Sequence, residues 1–269
     1  MKQLLFVFFL LLISNGGVVG QDADAAKIEL GSTTAKNGFK NEDEIRDKFN
    51  AWKSDNDSKI WLEAMNYEVD DIVSVTATKP HGEKADVEVT VKTTSTERIE
   101  KISIKLVSSA NGFNQIDKRW LATYAELWNM PPDVLEALKL YVGETPPGKN
   151  SRDSRRMYLD EMDAKTQSAV VDFFALKKET IVSDLLAGDG EHAAGWLMVT
   201  FKATGEPEWA IRSAADAIKF YSDGPVQLTK AGNLKLGRIT MQRKGGDNGR
   251  PTANMLQFKM NPVELFDAP

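Results

Sequence analysis

The chain has 269 residues, enough for one large or two small cores, and its 42% hydrophobic and 27% charged content is ordinary for a soluble globular protein. It has no cysteine, which excludes disulfides, thiolate catalysis and zinc–thiolate sites, and its two histidines, His81 and His192, argue against a histidine-centred mechanism. The net charge of −5 disfavours nucleic acid as a partner, yet residues 228–260 carry seven Lys or Arg against one Asp, a local +6 that predicts a basic, phosphate-binding face.

The N-terminal segment has the order of features found in a signal peptide. One lysine precedes the apolar run Leu4 to Ile13, and the small residues Gly16, Gly17 and Gly20 follow it. A membrane span needs about 20 apolar residues and a signal-peptide core about 7–15. We therefore expect a signal peptide over residues 1–20, a linker over 21–27 and a single domain over 28–269.

This segment decides the expected location of the protein. If it is a signal peptide, the mature protein is secreted or periplasmic and has no stable membrane association after cleavage. If it is an apolar tail from a misassigned start codon, the protein is cytoplasmic.

The first predicted helix begins at Asn41. Glu44 stands where a capping box needs its acid, and apolar residues follow at helical spacing: Ile45, Phe49 and Trp52. Glu42 in the first turn has two explanations that the sequence leaves open. It favours the helix dipole, or it supplies a catalytic carboxylate from a helix beside the site.

A hairpin with one polar face follows. Residues 86–91 alternate polar and apolar, residues 93–98 form a polar tip, and residues 101–106 alternate again. Pairing of these two strands brings Asp86 and Lys105 onto the same polar face.

A carboxylate and a lysine on neighbouring strands are how metal-dependent nucleases assemble a phosphodiester-cleaving site. We expect Asp86, the carbonyl of Ile104 and the hydroxyl of Ser103 to bind Mg²⁺, a hard cation that takes oxygen ligands. Lys105 then orients or deprotonates the attacking water and balances charge on the phosphate. Glu88, on the same strand face as Asp86, or Glu42 supplies a second carboxylate.

The rest of the chain interleaves helices and strands, which predicts an α/β domain. The predicted elements are helices over 115–128, from Pro131 to near Gly143, and in two pieces over 160–188; strands over 196–202 and 209–212; a helix capped by Ser213; and short strands from Val226 onward.

Several strings of residues resemble one enzyme family. The most specific are Gly112-Phe113-Asn114-Gln115-Ile116-Asp117-Lys118, Gln242-Arg243-Lys244-Gly245-Gly246-Asp247-Asn248-Gly249-Arg250 and the run from Thr252 to Lys259. Together with Asp86 and Lys105 they resemble the HinPI-type restriction endonucleases of the PD-(D/E)xK superfamily, which cut DNA at GCGC. The resemblance extends from Ile28 to Asp267.

The resemblance implies a restriction-endonuclease-like core, with a central mixed β-sheet flanked by helices. It also implies Mg²⁺ as cofactor, double-stranded DNA containing GCGC as substrate, and 5′-phosphate ends. The general motif has Asp or Glu two residues before the lysine, where this chain has Ser103 and the HinPI-type enzymes have glutamine. Whether the chain acts as a monomer or a homodimer is left open.

The basic, glycine-rich turn from Arg243 to Arg250 is the expected base-reading element. Arginine can grip guanine through two acceptors, and Asp or Asn can face cytosine in the major groove. The DNA-binding candidates are Gln242, Arg243, Lys244, Asp247, Asn248 and Arg250, with Gln115, Asn254 and Gln257 in second rank. The alternative is a hairpin turn that contacts phosphates only.

Phe113 also has two interpretations. On a polar loop beside a nuclease site, its ring could wedge between base steps and bend the duplex. Alternatively, it packs into the core at a helix entry.

Three functions are consistent with these observations. The first is a Mg²⁺-dependent, sequence-specific endonuclease. The second is a DNA-binding protein that lost cleavage, with Ser103 as the mark of that loss. The third is an exported nuclease with relaxed specificity.

Overall fold

The computed structural model describes residues 33, 36–81, 84–148, 151–203, 205–246 and 250–268. The expected signal peptide, the linker, Asp247 and Asn248 lie outside the described residues. Residues Gly38–Pro269 form one compact unit. Within the described ranges, no helix is long and apolar enough to cross a membrane.

The first sheet, sheet A, has five strands in the order β1-β2-β3-β5-β6. Their bounds are β1 Ile72–Thr78, β2 Val87–Thr93, β3 Glu97–Val107, β5 Trp196–Phe201 and β6 Glu208–Ser213. Only β3 and β5 run parallel and the other neighbours are antiparallel, so the sheet is mixed. The predicted hairpin is confirmed as β2 and β3, with Val87 opposite Ile102.

The second sheet, sheet B, is antiparallel and has the order β4-β10-β9-β8-β7. Its strands are β4 Asn114–Arg119, β7 Val226–Leu228, β8 Leu234–Leu236, β9 Ile239–Arg243 and β10 Leu256–Met260. The long central strand of this sheet, β10, joins the edge strand β4 to the C-terminal meander. Sheet B therefore connects the chain just after β3 with the chain's C-terminal quarter.

Seven helices are described. They are α1 over residues 36–50, α2 Asn56–Ala64, α3 Leu121–Leu127, α4 Pro132–Val142, α5 Ala164–Leu176, α6 Lys178–Leu186 and α7 Ala214–Ser222. Local sequence explains several ends. Asp55 caps α2 by accepting the Ser58 N–H at 2.8 Å, and α4 starts at a proline and ends at Gly143 with φ of 85°.

Sheet A lies between two hydrophobic cores. On β5, Met198 packs into the smaller core with α1 and α2, whereas its neighbours Leu197 and Val199 pack into the larger core with sheet B and α3–α7. Alternate side chains point to opposite faces of a strand, so β5 is apolar on both. The central mixed sheet flanked by helices is thus confirmed.

Two predictions of local structure are wrong. Residues 115–119 form β4 instead of the start of a helix, because they pair with β10 and only Ile116 among them is buried. Asn41 is not a helix cap, since α1 already runs from residue 36. Asn41 is instead buried in the helix, where its Nδ2 donates to Oγ1 of Thr200 at 3.1 Å.

Candidate active site and nucleic-acid interface

Asp86 lies directly before β2, at the point where β2 and β3 stop pairing. Its N–H donates to the Ile102 carbonyl at 2.8 Å, which continues the ladder by one bond. Beyond it, Oδ2 of Asp86 accepts the Ile104 N–H at 2.6 Å and lies 3.4 Å from the Ser103 hydroxyl. These contacts hold the carboxylate against the exposed edge of β3.

Lys105 reaches the same place from the next strand. Its Nζ lies 3.9 Å from Oδ2 of Asp86 and donates to the Ile104 carbonyl at 3.0 Å and to Oγ of Ser103 at 3.3 Å. The predicted convergence of a carboxylate and an ammonium group is therefore present, and both side chains are partly accessible to solvent.

The oxygen atoms at this position suit a hard cation. An extended residue presents its N–H and C=O to the same side, so the Ile104 carbonyl projects beside the Asp86 carboxylate that its N–H binds. Within the described ranges no group of three His, Cys, Asp or Glu residues could form a metal cage. The donor set matches Mg²⁺, which is commonly held by one or two carboxylates and completed by waters and substrate phosphates.

Glu42 on α1 borders this group and is coupled to it electrostatically. Burial raises the pKa of Glu42, the nearby Asp86 charge raises it further, and Lys79 opposes both from 2.9 Å. The second carboxylate candidate, Glu88, instead pairs with Lys101 at 3.2 Å, across the β2–β3 ladder. Of the two, Glu42 is the carboxylate coupled to the Asp86–Lys105 pair.

Two lysines beside the site were not foreseen. Lys79 binds Glu42, and Lys84, two residues before Asp86, contacts β4 through the Ile116 carbonyl at 3.3 Å and Asp117 at 3.4 Å. Burial lowers the pKa of Lys84. No local pattern marks either lysine, because their partners lie more than 30 residues away in the chain.

Comparison with known proteins assigns this arrangement. A family model for R.HinP1I restriction endonuclease matches residues 65–266, about three quarters of the chain, and includes Asp86 and Lys105. The chain belongs to the R.HinP1I restriction endonuclease family. It is a type II site-specific deoxyribonuclease.

The fold of this restriction endonuclease also has a counterpart among solved structures. The restriction endonuclease MspI, crystallised in complex with its cognate DNA, aligns over 79% of this chain and 80% of its own, with a TM-score of 0.56 and 12% identity. No curated protein sequence matches the chain. The α1 helix, with Glu42, precedes the region that the R.HinP1I family model covers.

Phe113 lies in the loop between β3 and β4 of this endonuclease. Its side chain is 57% exposed, so the alternative of a core aromatic is wrong. The next residue, Asn114, ties the loop to the end of the Lys105 strand by donating to the Leu106 carbonyl at 2.9 Å. Gln115 is also exposed, on the edge strand β4.

The C-terminal candidates divide into two groups. Arg250 is exposed, and Gln242 and Lys244 line a pocket at the end of β9. In contrast, Gln257 is only 4% exposed in the middle of sheet B, so its assignment to DNA binding is corrected: burial within β10 keeps it from the surface.

Arg243 and Asn254 have contacts inside the fold. The Arg243 guanidinium donates to the Val142 carbonyl at 2.8 Å and to Oδ1 of Asn254 at 2.7 Å, and Nδ2 of Asn254 donates to the Gly143 carbonyl at 3.0 Å. They fix the C-terminal end of α4 to the end of β9. Asn254 therefore supports the turn that follows β9, with both ends of its amide engaged.

Proposed function

We propose that this restriction endonuclease is Mg²⁺-dependent and cleaves duplex DNA at GCGC, leaving 5′-phosphate and 3′-hydroxyl ends. The observation that carries the proposal is the 3.9 Å approach of Lys105 Nζ to Asp86 Oδ2 at the open edge of β3. A cationic donor beside an oxygen-rich metal position is the arrangement that in-line attack on a phosphodiester requires.

Each residue of the site has a separate role in this scheme. Asp86, the Ile104 carbonyl and the Ser103 hydroxyl would hold Mg²⁺, which when bound supplies an acidified water and polarises the phosphoryl oxygens. Lys105, held by the Ile104 carbonyl and Ser103, places its ammonium group at the scissile phosphate and orients or deprotonates the attacking water. Glu42 adds a second carboxylate to the same site.

Several features support duplex DNA containing GCGC as the substrate. MspI was solved with its cognate DNA, and the basic turn after β9 offers arginine and lysine to guanine acceptors. GCGC is palindromic, so its two half-sites are equivalent by two-fold symmetry. This symmetry favours a homodimer that presents one active site to each strand.

The decisive experiment is digestion of a supercoiled plasmid by the chain lacking residues 1–20, with and without Mg²⁺, followed by mapping of the ends. We expect discrete fragments that end at GCGC only when Mg²⁺ is present. Lys105→Ala should abolish cutting and retain DNA binding, and persistent cutting by this variant would refute the role of Lys105.

The same experiment separates the two other functions. Binding without cleavage by the parent chain would indicate a cleavage-deficient protein, a function favoured by one observation, the neutral Ser103 in the metal position. Fragments with random ends would indicate a nuclease of relaxed specificity.

We further propose that residues 1–20 direct export, so that the mature enzyme is secreted or periplasmic. The support is the order of lysine, apolar run and small residues in the sequence. Fractionation of cells that express the full chain, with mass spectrometry of the mature N-terminus, tests this. Recovery of uncleaved protein from the cytoplasm would refute it.

A further inference from the structure

A pocket of about 470 Å³ lies at the end of β9, away from Asp86 in sequence and on the other sheet. The 151–158 segment and the turn after β9 line it. Its cationic residues are Arg155, Arg156, Arg243 and Lys244. The lining has a single carboxylate, Asp153, and two parallel bonds of 3.0 Å pair it with Arg155.

Arg156 is the unusual member of this group. It is only 7% exposed, and in the described ranges no carboxylate lies within ion-pair distance of its guanidinium. Its Nε is buried and has no hydrogen-bond partner. The guanidinium carbon lies 3.9 Å from the centre of the Tyr158 ring and 4.8 Å from that of Tyr141, so aromatic rings supply much of its surroundings. Arginines this deeply buried are usually paired with an anion.

Arg243 adds a second cation held only by neutral groups. Its guanidinium donates to a backbone carbonyl and to an amide oxygen, neither of which carries charge. Burial lowers the pKa of Arg243, and the positive charges of Arg156 and Arg155 lower it further. The fold therefore gathers like charges at one pocket without the carboxylates that would neutralise them.

We propose that this pocket binds a non-scissile phosphate of the DNA backbone, with Arg156, Arg243 and Lys244 as its cationic partners. Planar guanidinium groups match the oxygens of a phosphate, and an anion would neutralise the buried Arg156. Gly245 and Gly246, at φ of 64° and 62°, form the rim and carry no side chain to hinder a close backbone approach. The proposal rests on the proposed DNA binding and adds a contact that fixes the position of the duplex.

The test measures DNA binding by the full chain with Lys105→Ala, which separates binding from cutting. Loss of one phosphate contact lowers the slope of log affinity against log salt by about one. We therefore expect this decrease for Arg156→Gln and for Lys244→Gln. Lys165→Gln, which removes one charge from the exposed start of α5, is the matched control and should leave the slope unchanged.

A scan of duplexes with one methylphosphonate each identifies the phosphate. We expect one non-scissile position at which neutralisation weakens binding by the parent but not by Arg156→Gln. Should Arg156→Gln fail to fold, as judged by circular dichroism, the same comparison with Lys244→Gln decides. An unchanged slope for the folded variants, or a scan with no such position, overturns the proposal.

Two further arms separate other outcomes. Binding of inorganic phosphate to the parent, with DNA affinity insensitive to the pocket variants, would identify a free-anion site and overturn the DNA assignment. Phosphate contacts carry no sequence information, so the slope should decrease equally on a duplex without GCGC. A parent that shows no preference for GCGC but retains this slope difference would refute the proposed specificity and support the pocket.

Discussion

Ser103 is the residue on which metal binding at this site depends most. Its hydroxyl lies 3.4 Å from Asp86 and 3.3 Å from Lys105, so it occupies the position between the two functional groups. A hydroxyl is a neutral ligand, whereas a carboxylate at the same place would add a negative charge and two oxygens to the metal position. The chain thus relies on Asp86 as the only strand carboxylate in contact with Lys105.

Ser103→Asp should lower the Mg²⁺ concentration needed for half-maximal cleavage, on the order of tenfold, which corresponds to about 1.4 kcal/mol of metal binding. The added carboxylate attracts the cation directly. Cleavage rates measured across a Mg²⁺ titration give the value, and Ser103→Ala is the control, which should raise the requirement. An unchanged requirement in both variants would show that residue 103 is not a ligand.

Asp86 and Lys105 could be predicted because their geometry is local. Two alternating strands joined by a short tip have a fixed relation, so the sequence determines which side chains share a face. Lys79 could not be predicted, since it reaches Glu42 across 37 residues and through packing of α1 on sheet A. Gln257 was misassigned because a polar residue next to a basic turn looks exposed until its strand is placed inside a sheet.

At the scale of elements, β4 is the strand that links the two sheets. Lys84 binds its Ile116 carbonyl and Asp117, and Asp117 also accepts from Arg119 at 2.8 Å and from the Tyr124 hydroxyl at 2.7 Å. The segment was predicted as helical because its single apolar residue gives no alternation. Pairing with β10, about 140 residues later, overrides local preference, and such pairing is not visible in one sequence.

Lys84→Met should slow cleavage by about ten- to a hundredfold while DNA binding changes little. Lys84 ties the segment that carries Asp86 to β4, and small displacements of a reacting group cost rates of this size. Single-turnover rates at saturating enzyme, with binding measured without Mg²⁺, separate the two effects. Lys118→Met, at a half-exposed position of β4, is the control.

Lys84→Met also leaves the Ile116 carbonyl without this donor, a cost of order 1–3 kcal/mol in the free energy of unfolding. Thermal unfolding must therefore show that the variant is folded at the assay temperature. Equal losses of binding and rate would contradict a positioning role and indicate a general loss of structure.

At the scale of the molecule, the acidic net charge and the basic C-terminal segment are compatible because function depends on where charge lies. The positive residues of 228–260 concentrate on and beside sheet B, while Asp86 and Lys105 lie at the edge of sheet A. The loop of Phe113 joins β3 of sheet A to β4 of sheet B. An exposed aromatic side chain at this connection is placed to act on a duplex that contacts both.

Phe113→Ala should reduce the bend that the enzyme induces in a GCGC duplex, because an apolar ring inserted between base steps unstacks and kinks DNA. The bend is measured by energy transfer between dyes at the two duplex ends, with Lys105→Ala protein to prevent cutting. Leu176→Ala removes a similarly exposed apolar side chain from α5 and should leave the bend unchanged. The fold should be unaffected, since the ring buries little area. A bend equal to that of the parent would show that Phe113 does not enter the duplex.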